Sequence, residues 1–116
     1  MSVGYWFVAG VTSFAFVGTG LLKLATSRSK LLENKNTGWV SEFTEPQIKL
    51  IGLAEVLGAA GLILPPAVGV AKWLRVPAAL GLLVLMLGAA NTHRTRREPV
   101  FLPLVLGLLA VITIFL

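Results

Sequence analysis

Three residues of this chain could hold or move a proton away from bulk water: Lys23, Glu55 and His93. Glu55 stands in "IKLIGLAEVLGAAGLILPP", a stretch made almost wholly of apolar and small residues. A carboxyl group in such surroundings can serve as a general acid or base near neutral pH. An ammonium such as that of Lys23 can pair with it, and an imidazole such as that of His93 can relay protons. Glu55 is therefore the candidate acid/base, with Lys23 and His93 as its catalytic partners.

The cost of placing an acid there sharpens the reading. If the helix carrying it enters the membrane near Pro46, Glu55 lies roughly 13 Å in at 1.5 Å per residue. An ionisable side chain near the bilayer midplane costs roughly 2.5 to 3.5 kcal/mol on insertion scales, so it faces the bundle interior and finds a partner. Gly52, Glu55, Ala59 and Leu62 share one helical stripe, which predicts the inward face. Gly52, Gly58 and Gly61 allow close helix approach. Lys23 can reach inward along its stem, whereas Lys49, six residues before Glu55, points off the Glu55 face and reads as a snorkelling anchor. Tyr5, Thr12 and Thr19 are expected to bond their own helix, the default for a buried hydroxyl. Arg94, Arg96 and Arg97 read as topology determinants.

The elements that position these residues follow from composition. Only 13% of the 116 residues are charged, and mean hydropathy is +0.86. A soluble domain carries about 25% charged residues. The fold class is therefore all-α membrane protein, one integral domain over 1–116. There is no cysteine, which excludes disulfides, thiol nucleophiles and cysteine metal sites. One histidine and five acids make no protein-only metal site, so none is expected. The net charge of +5 lies in connections between apolar runs, which points to anionic headgroups and topology rather than to nucleic acid.

Four apolar runs, about 4–24, 46–64, 73–92 and 100–116, predict a four-transmembrane-helix bundle. The first lacks a basic leading region and a small-residue cleavage site, so it reads as a span rather than a signal peptide. With four spans, Lys23, Arg28, Lys30, Lys35, Lys49, Arg94, Arg96 and Arg97 fall on one side, and only Lys72 and Arg75 on the other. The positive-inside rule then places the basic loops in the cytoplasm and both termini outside. Trp6, Trp39 and Trp73 sit near span boundaries as interfacial anchors. In the long first loop, 27–34 has the pattern of a short interfacial helix, with a solvated loop as the alternative, and "NTG" breaks it. Thr44 and Gln47 predict a capping box, and "LPP" is expected to end the second span.

Three stretches together resemble the DoxX-like family of small bacterial membrane proteins: "GTGLLKL", "KLIGLAEVLGAAGLILPP" and "GAANTHRTRRE". The resemblance covers nearly the whole chain, with a long first loop containing "GW" and with Lys, Glu and His in that order. It implies a compact four-helix membrane bundle. It also implies a link to quinone-coupled redox systems in the bacterial inner membrane. Without cysteine, any redox role would come from a bound quinone or a redox partner protein, with no covalent cofactor.

Three functions follow. The first is an accessory subunit that binds a quinone-like lipophilic molecule in an intramembrane pocket, alone or as a homo-oligomer. The second is a small membrane enzyme, an isomerase, cyclase or epoxide-opening catalyst, using Glu55. The third is a proton-coupled exporter, but small exporters of this length carry their membrane glutamate in the first span rather than the second. For the pocket, Asn91 is expected beside His93, and the apolar wall from Phe14, Leu22, Leu53 and Leu87 or their neighbours. A ring with one or two carbonyl or hydroxyl groups would suit that chemistry.

Overall fold

A computed structural model describes all of residues 1–116. The chain is all-helical: α1 (Val3–Ala25), α2 (Arg28–Glu33), α3 (Glu45–Val68), α4 (Arg75–Thr95) and α5 (Phe101–Phe115). Two 3-10 helices, Lys35–Glu42 and Lys72–Leu74, fill connections. Three helical segments, Val3–Ala25, Glu45–Val68 and Lys72–Thr95, are long and apolar enough to cross a membrane. α5 is equally apolar in character but has 15 residues, about 22 Å at 1.5 Å per residue. That is shorter than a hydrocarbon core of about 30 Å.

The long helices form a ring in which α1 packs on α3, α3 on α4, α4 on α5, and α5 back on α1. The core runs down its axis through Tyr5, Ala9, Phe16, Ala59, Leu62, Leu82, Met86 and Ala110. Large apolar side chains such as Phe7, Phe14, Leu50, Val84 and Phe101 point outward. Such an outer surface suits lipid, where apolar exposure costs nothing.

The prolines of α3 correct one expectation. The helix does not stop at "LPP" but runs through Pro65 and Pro66 to Val68, where Gly69 closes it in the left-handed conformation at φ 73°. The reason lies on the neighbouring helix. Pro66 has no N–H to give the carbonyl of Leu62, four residues earlier. The Tyr5 hydroxyl donates to that carbonyl instead, at 2.6 Å. A freed backbone acceptor in a membrane helix is thus satisfied from across the bundle.

At the same end of the ring, the Arg75 guanidinium donates to the carbonyls of Thr113 and Ile114 in the last turn of α5 and lies 5.6 Å from the Tyr5 ring. At the opposite, basic end, the first loop folds back as a cap. Ser27 caps α2, and the helical pattern over 27–34 is met by Arg28–Glu33. "NTG" does not leave an open loop; the chain continues as a 3-10 helix kinked at Thr37, whose hydroxyl donates to the Leu31 carbonyl at 2.5 Å. Leu31, Val40 and Ile48 form a second small core that seats this cap on the start of α3, with Trp39 and Phe43 against it. The capping box at Thr44 and Gln47 forms as expected, with both reciprocal bonds present.

Candidate functional site

The site begins where α1 and α3 cross. A Cβ on Gly20 would lie 2.7 Å from the Gly52 carbonyl, and one on Gly52 would lie 2.8 Å from the Gly20 carbonyl and 2.9 Å from the Lys23 Cβ. Only glycine at both positions lets the two backbones approach this closely. The crossing sets Lys23, one turn past Gly20, beside Glu55, one turn past Gly52. Their charged ends meet at 2.7 Å, Nζ to Oε1. Glu55 is 1% exposed, on the buried stripe Gly52, Glu55, Ala59 and Leu62 that the spacing predicts, which Ile48 extends.

Thr19 completes the deep end. Its hydroxyl donates to Glu55 Oε2 at 2.5 Å, with a longer 3.3 Å contact to its own helix at the Phe16 carbonyl. The expectation of a hydroxyl bonded only within its helix holds for Thr12, which donates to Val8, but not for Thr19 or Tyr5. A carboxylate is a stronger acceptor than a peptide carbonyl, so Thr19 turns to Glu55. The other oxygen, Oε1, is buried against the Lys23 ammonium, its ion-pair partner.

Lys49 is not a free anchor. Its ammonium donates to the carbonyls of Lys23, Leu24 and Thr26, at 2.7, 3.2 and 2.7 Å. Those are orphan acceptors of the last turn of α1, where a cation is also favoured by the helix dipole. Lys49 thereby fixes the turn that carries Lys23.

These groups border a cavity of about 760 Å³ in the basic half of the bundle. Its body is apolar, with walls from Leu22 on α1, Ile51 on α3, Leu85, Met86 and Ala89 on α4, and Leu102 and Leu106 on α5. Thr19, Lys23 and Glu55 form the deep polar end. Lys35, Asn36, Thr37, Thr92, His93 and Glu98 form a second polar rim nearer the basic loops. Trp39 lies between the two, with Lys23 Nζ 5.4 Å from its ring centre and the His93 ring 6.3 Å away, edge to face.

His93 thus borders the same cavity as Lys23 and Glu55, but its bonded partner is Glu98, at 2.9 Å from Nδ1. Facing a carboxylate, that nitrogen carries the proton. The Glu98 carboxyl is held below its ordinary pKa chiefly by the His93 hydrogen bond, which burial opposes and Arg96 supports. Arg96 also donates to the Ser41 hydroxyl at 2.9 Å and to Glu42 at 3.4 Å, tying the cap to the α4–α5 connection. Arg96 is therefore part of the cap's clasp, beyond any part in topology.

Of the expected wall residues, Leu22 borders the cavity. Phe14, Leu53 and Leu87 do not; they are 83%, 44% and 53% exposed on the outer face. Their helical phase turns them away from the axis defined by Phe16, Glu55 and Met86. Asn91 also faces outward, accepting a 3.4 Å bond from Arg94 beside a separate shallow cleft between α4 and α5. Sequence reasoning missed Thr19, Trp39 and Glu98 as site neighbours. For Thr19 a signal existed: it lies four residues before Lys23, on the same helical face.

Apolar helices wrapped around a buried ion pair define a small multi-pass helical membrane protein. The chain belongs to the DoxX-like family, which it matches over residues 7–115. No curated protein and no solved structure gives a significant match to it.

Proposed function

We propose that this protein binds a lipophilic, quinone-like molecule in the intramembrane cavity, as an accessory subunit of a redox system in the bacterial inner membrane. The observation that carries this reading is the buried Lys23–Glu55 pair at one end of a 760 Å³ cavity with apolar walls. That volume suits a substituted ring with part of an apolar chain, and a few convergent polar groups fix the orientation of such a ligand. The residues fit a quinone head: the Lys23 ammonium can donate to a ring oxygen, and the Trp39 ring lies beside it. A quinone, when bound, supplies two-electron, two-proton chemistry. The chain's own residues hold the ring, shield it beneath the 28–43 cap, and carry titratable groups at both ends of the cavity. Four spans, with α5 as the fourth, both termini outside and the basic loops in the cytoplasm, complete the arrangement; a reporter fused at Leu116 tests it.

Binding is tested in lipid nanodiscs with an alkyl-substituted benzoquinone, read by quenching of Trp39. Saturable quenching is expected, lost in Ala89→Phe, which fills the cavity. Absence of saturable binding in the native chain overturns the reading.

A second reading, a membrane enzyme with Glu55 as general acid or base, draws on one observation: Glu55 is among the residues that line the cavity. Glu55→Gln separates the two, since it removes the titratable group at constant volume. Turnover of an epoxide or polyene substrate that vanishes in this variant favours the enzyme.

A further inference from the structure

We infer that the ligand is a long-tailed lipid whose tail leaves the cavity sideways into the bilayer, between α3 and α4 past Gly88. This rests on reading the cavity as the binding site of a lipophilic ring, and it adds the tail and its route.

The seam between α3 and α4 is closed at one end and open at the other. A Cβ on Gly61 would lie 2.7 Å from the Ala78 Cβ, and one on Gly58 would lie 2.6 Å from the Leu82 side chain. Both contacts belong to the half of the bundle away from the basic loops. The two helices run antiparallel, so the same pairing, carried one to two turns toward those loops, sets Val84 and Gly88 level with Glu55 and Ile51. There a Cβ on Gly88 would meet nothing within 4 Å. Gly88 and Val84 both border the cavity, and both are exposed, Val84 by 67%. A cavity whose wall includes such outward-facing positions opens toward lipid.

Two other routes compete. The rim beneath the cap carries Lys35, Asn36, His93 and Glu98. An alkyl chain laid across it would strip water from polar and charged groups without bonding them, which is costly. Arg96 also ties that rim to the cap through Ser41 and Glu42. At the seam between α1 and α5, Leu22 and Leu102 reach the cavity and are exposed, but there large side chains occupy the place that a glycine leaves free on α4. The opening at Gly88 is edged by Ile51, Val84 and Leu85, all apolar, so a tail passing it loses nothing relative to lipid. A cavity of about 760 Å³ houses the ring and the start of the chain, and the remainder stays in the bilayer.

Two benzoquinones with one head group test the route. One carries a methyl group, the other an octaprenyl tail too long to coil within the cavity. Each is titrated by mole fraction in the lipid of nanodiscs, so that partition into the bilayer cancels. The readout is Trp39 quenching in a Trp6→Phe, Trp73→Phe background. Both compounds should bind the native site saturably. Gly88→Phe puts a ring in the opening without displacing a neighbour. It should weaken the octaprenyl compound roughly tenfold to hundredfold, the range set by forcing a chain into filled space, and leave the methyl compound within about twofold. Gly81 is exposed on the same face of α4, two turns away, has equally open surroundings and does not border the cavity. Gly81→Phe should therefore leave both affinities unchanged. An octaprenyl affinity unaltered by Gly88→Phe overturns the inference, and so does an equal loss of both compounds, since the new ring would then fill the cavity itself. Loss of the octaprenyl compound in Leu102→Phe but not in Gly88→Phe moves the passage to the α1–α5 seam and overturns it too. Binding of the methyl compound alone overturns the inference while leaving the site in place. If neither compound binds, the cavity is not a site for such rings, and both conclusions fall together.

Discussion

Lys23 and Glu55 meet 2.7 Å apart on two different helices, and the carboxylate is buried while the ammonium side chain keeps 12% of its exposure. Removing one partner leaves the other as an uncompensated charge, which costs about 3–5 kcal/mol for buried pairs. Lys23→Met and Glu55→Leu should each lower stability by about that amount. The double variant should recover most of the loss, because well-packed apolar residues replace a buried pair at little cost. Denaturation of the four proteins in one detergent checks this. A double variant as unstable as the sum of the singles would show that the pair does not interact energetically.

Gly52 is the position where α1 and α3 touch backbone to backbone. A side chain there meets the Gly20 carbonyl at 2.8 Å and the Lys23 Cβ at 2.9 Å, neither a flexible chain end. Gly52→Val should therefore force the helices apart and cost more than the about 1–3 kcal/mol usual for overpacking. Because the crossing sets the ion pair, the same change should also abolish the nonadditivity between Lys23 and Glu55. A fully stable Gly52→Val protein would contradict the packing described.

Much of this architecture was legible from local pattern. The stripe Gly52, Glu55, Ala59 and Leu62 is a property of one helix, and so is the Thr44–Gln47 cap. What depends on two helices was not legible. Helix continuation through Pro65 and Pro66 needs Tyr5, nearly sixty residues away in sequence. The outward turn of Leu53, two residues or about 200° of helix from Glu55, follows from the sequence, whereas that of Phe14 and Leu87 depends on the rotation angle of their spans. A uniformly apolar span does not encode that angle, because lipid-facing and core-facing residues are alike in hydropathy. Trp39 reads as an interfacial anchor in sequence, and only the fold-back of the cap onto α3 brings it over the cavity.

Lys49 holds three carbonyls at the end of α1. Lys49→Met keeps the apolar stem and removes the donors. The last turn of α1 should fray, with faster amide exchange from Lys23 to Thr26 and a loss of about 1–3 kcal/mol for the unmet acceptors. Glu55 itself is untouched, so any weakening of quinone binding in this variant would come through the position of Lys23. Unchanged exchange in that turn would return Lys49 to the role of a simple anchor.

Glu98 braces His93 and Arg96, the residue that ties the cap to the α4–α5 connection, and its carboxyl is held below its ordinary pKa chiefly by the His93 hydrogen bond. A carboxylate with a lower pKa folded than unfolded adds stability that is full above the unfolded value and is lost as pH falls through the folded one. With an unfolded glutamate near 4.3, the clasp should be intact at neutral pH and should loosen only below about pH 4. Trp39, edge-on to His93, reports the event when Trp6 and Trp73 are replaced by Phe. Its emission should stay constant from neutral pH to about 5 and shift on further acidification. Glu98→Gln should show altered emission already at neutral pH. Part of the acid transition should survive in that variant, since Arg96 also holds Glu42. A transition near neutrality, unaffected by Glu98→Gln, would assign the clasp to His93 and not to the carboxylate.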